Sequence, residues 1–186
     1  SQTLEVACAV LSGLVNNRLV SNLENIGVNA IGLSGISSKL ISAKPVSDEL
    51  GLVGEVKEIN NSILVKLLEL GYVPVVSPLG FNDKSNYVAH EGILNINADF
   101  AAGKIASSLK ASKIIYQTDV DGILDEKGRI IPRMTLKQAN ELLQSGIIGG
   151  GMIPKLESCI EALENVEFGY IINAYSDSLL RIFEGV

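Results

Sequence analysis

Cysteine, histidine, aromatic side chains and positive charge are all scarce in this sequence, and each scarcity removes a class of function. Its two cysteines, Cys8 and Cys159, stand far apart with no metal-ligand spacing. A disulfide framework or zinc site is therefore not expected, and both read as buried thiols of a reducing compartment. The one histidine, His90, falls in a polar loop and leaves no set of partners for a catalytic triad. Basic clusters are missing and the net charge is −6, which argues against nucleic acid as a partner. No signal peptide is visible and no apolar run is long enough to span a bilayer, so no membrane role is expected. A cytoplasmic setting follows, or a plastid or mitochondrial one for a mature organelle protein. The phosphate-binding string Gly-x-x-x-x-Gly-Lys-Ser/Thr, a dinucleotide fingerprint after the first strand and a Gly-x-Ser-x-Gly elbow are also absent.

What remains is a glycine-rich, core-rich chain. Apolar residues make up 47% of 186, with 18 glycines and no tryptophan, a balance common in α/β proteins with many strand-to-helix turns. The length allows one domain or two small lobes. A mild boundary near Ala111 suggests lobes at 1–110 and 111–186.

Apolar spacing predicts a helix over 3–26, stopped by Gly27, then a strand over 28–33 and a Ser/Gly loop. Residues 39–59 alternate as hairpin strands around a Pro45–Gly51 break. A helix over 62–70, with Asn60 or Asn61 as its cap, stops at Gly71. A strand over 72–77 and a polar loop over 78–92 come next. The strand from Ile93 runs into a helix over 100–109, and a further strand covers 112–118. A hairpin is expected over 123–133, a Thr135-capped helix to Ser145 stopped by Gly146, a helix to Val166, a strand over 170–173 and a last helix capped by Ser176 or Asp177. Strands alternating with helices imply a mostly parallel sheet with helices on both faces.

Two stretches carry chemistry. Gly149-Gly150-Gly151-Met152-Ile153-Pro154-Lys155 opens a helix, and three glycines let backbone N–H groups face an anion. A cation in the first helical turn is unfavourable for the helix itself, so Lys155 makes more sense with a negative group before it. A loose loop with a solvated lysine is the competing reading. At the strand-to-helix corner, Asn95, Asn97 and Asp99 recur at every second position. Asn97 or Asp99 would serve there as a helix cap, yet the polar load also suits a ligand at a strand end. Together, a lysine on a glycine-rich helix start and Asp/Asn groups at strand ends suit phosphoryl transfer, where positioning and charge neutralisation supply most of the catalysis.

Gly71-Tyr72-Val73-Pro74-Val75-Val76-Ser77, Asn95-Ile96-Asn97-Ala98-Asp99, Thr118-Asp119-Val120-Asp121-Gly122-Ile123-Leu124 and Gly150-Gly151-Met152-Ile153-Pro154-Lys155 stand in the order and spacing of N-acetylglutamate kinases, with Gly51-Leu52-Val53-Gly54-Glu55-Val56 like their hairpin region. The chain thus resembles that branch of the amino-acid kinase family. The resemblance implies the amino-acid-kinase (carbamate-kinase-like) α/β fold, ATP with Mg²⁺ bound through its phosphates, and phosphorylation of the γ-carboxylate of N-acetyl-L-glutamate in arginine biosynthesis. It implies a substrate-binding and dimerisation lobe over 1–110 and a nucleotide-binding lobe over 111–186. Asn95, with Asn97, falls to the substrate, and Asp99 matches the aspartate that orients the catalytic lysines. Lys155 matches the lysine that neutralises the transferring phosphoryl group. Thr118, Asp119, Val120, Asp121, Gly122, Ile123 and Leu124, with Ile147, Ile148, Gly149, Gly150, Gly151 and Met152, match the segments that enclose the nucleotide. A homodimer or hexamer is implied, and a PII-type signalling protein is admitted as regulator.

Family members begin with a Lys-x-Gly-Gly strand, followed by a substrate Gly-Gly loop and an arginine, and none of these occurs here. The family's last strand is also missing. The sequence is therefore expected to be incomplete and feeble in turnover by itself. Two readings compete with the acetylglutamate kinase: a kinase for a related acceptor such as carrier-bound aminoadipate, and a truncated, non-catalytic nucleotide-binding or dimerisation module.

Overall fold

The apolar spacing of residues 3–26 does produce a helix, but one that changes pitch midway. It runs as α1 (Gln2–Cys8), a π-helical stretch (Ala9–Val15) and α2 (Asn16–Asn25). Seven residues are too few for hydrophobic spacing to separate the π pitch from the α pitch. The computed structural model describes residues 2–82 and 92–184. They form two compact units, Ser1–Ala101 and Ala102–Val186, whose boundary falls in one helix.

In the first unit, β1 (Ala30–Ser34) pairs in parallel with β4 (Val73–Ser77). The irregular helix is pinned to both. Ser12 and Ser77 share a hydroxyl hydrogen bond of 2.6 Å, and Asn16 Nδ2 donates to the Leu33 carbonyl at 3.3 Å and the Val75 carbonyl at 2.8 Å. Asn16 is buried, and Gly32 is what lets it approach, since a Cβ there would overlap Asn16 Oδ1. Asn16→Ala removes both of these part-buried hydrogen bonds, so it should destabilise the protein by about 1–3 kcal/mol, read as a lowered midpoint in urea unfolding. An unchanged midpoint would show the clamp to be idle.

The other four described strands of this unit form a small closed barrel. β2 (Ile41–Pro45) and β3 (Val53–Ile59) form the expected hairpin, with a bulge between Ser42 and Ala43. It closes through β6 (Ile93–Ile96) and β5 (Leu79–Asn82) in the order β2-β3-β6-β5. The polar loop expected over 78–92 is thus corrected at its start. Residues 79–82 are a strand, because Leu79 is buried in the barrel and Phe81 pairs with Ile93. Four residues are too short a run for alternation to be read. The rest of that loop, with His90, lies outside the described residues. Leu40, Ile41, Leu79, Leu94 and Ile96 fill this region of the core. The interior is tight enough that a Cβ at Gly54 would stand 2.8 Å from Leu94 Cβ. Helix α3 (Ser62–Glu69) packs beside β4 and ends, as expected, before Gly71.

Helix α4 (Ala98–Leu109) starts earlier than expected, because Asn97 Oδ1 accepts from the Asp99 and Phe100 N–H groups at 2.9 and 3.3 Å. In the second unit, β7 (Lys113–Thr118) and β8 (Phe168–Asn173) run parallel, in register from Lys113 opposite Phe168 to Thr118 opposite Asn173. Helix α5 (Leu136–Gln144) carries a full capping box between Thr135 and Gln138. Helix α6 (Met152–Ala162) is shorter than the expected run to Val166, and α7 (Ser178–Glu184) closes the unit. Tyr116 and Ser158 join strand to helix by a buried 2.7 Å hydrogen bond. Cys159 beside them is buried, which pushes its thiol up to about 11.

The hairpin expected over 123–133 shrinks to one bridge, Leu124 to Ile130, around a tight turn. The Asp125 carboxylate takes the Lys127 and Arg129 N–H groups at 2.8 and 2.9 Å and curls the chain before strands can lengthen. The Arg129 N–H and guanidinium hold that carboxyl below its usual range. Nor do the described strands make one sheet: there is a parallel pair in each unit, plus the barrel. The β2–β3 hairpin closes on β5 and β6 and so takes four strands out of the layer. Among the described residues no helix is long and apolar enough to cross a membrane.

Candidate functional site

Parallel strands end together, and here the carboxyl ends of β7 and β8 meet a cleft. Beyond Thr118 the chain turns through Asp119-Val120-Asp121-Gly122, where Gly122 has φ 145°, a value that favours glycine. Asp119, Val120, Asp121, Gly122 and Leu124 form one wall, and Ile147, Ile148, Gly149 and Met152 form another. The cleft measures about 650 Å³. Its sides are mainly aliphatic, with the two aspartates at the strand end.

The carboxylates are held from different strands. Thr118 Oγ1 donates to Asp119 Oδ1 at 3.2 Å, and Asn173 Nδ2 donates to Asp121 Oδ1 at 2.7 Å. The glycine run supplies opposite polarity. Gly150 has φ 57°, and α6 starts at Met152 with Gly151 as its cap. The Met152 and Ile153 N–H groups turn back to the Gly149 and Gly150 carbonyls at 3.3 and 3.4 Å. Among the described residues, the N–H groups of Gly149, Gly150 and Gly151 have no acceptor within the chain. Open donors at a helix start are suited to an anion.

A model of the amino acid kinase family matches residues 1–173. The chain belongs to the amino acid kinase family. This family member is 43% identical over 194 residues to an acetylglutamate kinase of Thermoanaerobacter sp. (strain X514), covering 99% of the chain and 63% of that relative. It is likewise 43% identical over 198 residues to the acetylglutamate kinase of Methanocorpusculum labreanum, covering 98% of the chain and 65% of the relative. The chain therefore spans less than two thirds of these relatives. Among solved structures, smu.665 of Streptococcus mutans UA159 superposes with a TM-score of 0.79 at 27% identity, over 95% of this chain and 73% of that one. Carbamate kinase of Giardia lamblia bound to AMP-PNP shares the fold, with a TM-score of 0.73 at 15% identity over 94% of this chain and 67% of that one.

Not every expected residue of this family member lines the cleft. Ile123 turns inward with Ala139 and Leu156, while Leu124 after it is exposed. Thr118 acts at the rim through Asp119. Gly150 and Gly151 present backbone, and half-buried Lys155 sits in the first turn of α6, the helix whose Met152 lines the cleft. In the first unit, Asn95 is half-buried on the face of β6 opposite Leu94 and Ile96. The alternation that would set Asn95, Asn97 and Asp99 on one side lasts only as long as the strand, which ends at Ile96. Asn97 gives its oxygen to the helix cap, and Asp99 lies in the first turn of α4, where a carboxylate is favoured.

Sequence reasoning missed three residues. Gly128 and Ile130 also line the cleft, brought there by the shortened hairpin. Asn173, at the end of β8, holds Asp121. The only local signal for Asn173 was a polar residue ending an apolar strand.

Proposed function

We propose that the protein carrying this chain transfers the γ-phosphoryl group of ATP to the γ-carboxylate of N-acetyl-L-glutamate. The products are ADP and N-acetyl-L-glutamyl 5-phosphate. The observation that carries this reading is the cleft of about 650 Å³ formed by the 119–124 and 147–152 segments at the ends of β7 and β8. Its aliphatic walls suit a nucleotide base, and the open N–H groups of the glycine run suit phosphates. Mg²⁺ would come with the nucleotide and help to neutralise its phosphates, which asks for no cage of protein ligands. The 43% identity to acetylglutamate kinases supports the choice of acceptor.

The roles follow from chemistry. Lys155 is a point charge that neutralises the phosphoryl group in transfer. Asp99 is the charged carboxylate of the catalytic set. Asn95 and the free amide nitrogen of Asn97 are donors for the acetylglutamate. The lobe roles, acceptor before residue 110 and nucleotide after it, belong to the same proposal, as do a cytoplasmic setting and assembly into a homo-oligomer.

The test is ADP release by the whole protein, with and without N-acetyl-L-glutamate. Release that depends on this acceptor is expected, at turnover of about 1–10³ s⁻¹. ATP binding without acceptor-dependent release would overturn the acceptor. Failure to bind ATP would overturn the assignment of the cleft.

A further inference from the structure

Asn173 stands outside every motif that pointed to the cleft, yet it makes the shortest side-chain hydrogen bond to a residue lining it. Its geometry also settles which end of its amide faces which partner. The Tyr175 N–H, which can only donate, lies 2.7 Å from Asn173 Oδ1. The oxygen must therefore face Tyr175, and the NH₂ must face Asp121, 2.7 Å away. The rest of the residue is fixed as well. The Ser176 hydroxyl donates to its carbonyl at 3.1 Å, and the Ala174 N–H continues the strand pairing to the Thr118 carbonyl at 2.8 Å. Asn173 is thus a rigid donor built into the end of β8, aimed at one oxygen of a cleft carboxylate. Among the described residues the other oxygen, Asp121 Oδ2, has no hydrogen-bond partner.

An ionised carboxylate accepts only, and it repels phosphates. The phosphates of a nucleotide therefore belong at the glycine end, where N–H groups are open, and the Asp121 end must meet the donors of the ligand. In a nucleotide those donors are the ribose hydroxyls and the amino group of the base. The base fits the aliphatic walls at Leu124, Ile130 and Ile148, which leaves the sugar for the strand end.

We propose that Asn173 is a positioning residue which, by holding Asp121, makes the cleft select a ribose over a 2′-deoxyribose. The proposal rests on the nucleotide reading of the cleft. It assigns Asn173 no contact with the nucleotide; its whole effect passes through the direction in which it fixes Asp121 Oδ2.

The experiment is calorimetric titration of the full chain with ATP and with 2′-deoxy-ATP, both with Mg²⁺. The chain should bind ATP about tenfold more tightly, the worth of one hydrogen bond to a charged group. Asn173→Asp is the informative variant. It keeps an oxygen for the Tyr175 N–H, so the turn survives, but it sets a second carboxylate against Asp121. ATP affinity should fall about tenfold, to that of 2′-deoxy-ATP, while 2′-deoxy-ATP affinity stays unchanged. A purely structural asparagine predicts the opposite, since aspartate serves such a turn equally well and neither affinity would move. Should Asn173→Asp fail to fold, Asp121→Ala reads the same preference and should also abolish it, since no side-chain partner for the sugar hydroxyl remains. Equal weakening of both nucleotides, the result expected if Asp121 held Mg²⁺ instead, overturns the proposal. So does preference retained in the variants, or its absence in the wild-type chain. If the wild-type chain binds neither nucleotide, the nucleotide reading falls and this inference with it.

Discussion

Lys155→Ala is expected to lower ATP-dependent phosphorylation of N-acetyl-L-glutamate by at least about 10²–10³-fold, the loss seen when one preorganised electrostatic donor is removed. The argument begins with the helix. Lys155 occupies the first turn of α6, where the macrodipole disfavours a cation by about 0.3–1 kcal/mol. A position that costs the helix something is a sensible place for a group whose partner is a transferring phosphoryl. The loss should appear mainly in kcat, because the charge matters most as negative charge develops on the transferring group. Nucleotide affinity should change far less, since the cleft walls and the glycine N–H groups remain. Urea unfolding of the variant separates lost chemistry from a lost fold. Activity surviving within a few-fold would remove Lys155 from the catalytic set.

Leu94→Ala carries the largest expected effect on stability. Leu94 is fully buried on the barrel face of β6, with its side chain close against Gly54. Neighbours this tightly placed cannot collapse into a vacated volume, so the loss should be about 2–5 kcal/mol. Against a total of roughly 5–15 kcal/mol, that threatens the fold itself. The measurement is the urea midpoint, with Leu50→Ala as a control. Leu50 is 56% exposed, and its truncation should stay within about 0.5 kcal/mol. A midpoint for Leu94→Ala equal to that of the control would refute the packing argument. Function should follow stability here, because the pleat that sends Leu94 inward is what turns Asn95 outward.

Much of the fold was legible because its signals are short-range. The capping box at Thr135 and Gln138 and the positive φ of Gly27, Gly71 and Gly146 put most helix ends within a few residues of where spacing places them. Two of the failures share a long-range cause, and the third is local. β5 is a strand only because β2 and β6 accept it. The π-helical turn forms where Ser12 and Asn16 reach strands that lie far along the chain. The 123–133 hairpin is shortened by one aspartate that prefers its own backbone to a ladder.

The candidate site divides the same way. The sequence by itself singled out the segments proposed to carry the chemistry: glycines before a helix with Lys155 in its first turn, and aspartates after an apolar strand. Those patterns depend only on residues close together in the chain. Only the tertiary structure decided that residues 119–124 and 147–152 share one cleft, that Gly128 and Ile130 join it while Ile123 leaves it, and that Asn173 holds Asp121. The register of β7 against β8 sets Thr118 opposite Asn173, and strand pairing across that span of chain leaves no trace in local spacing.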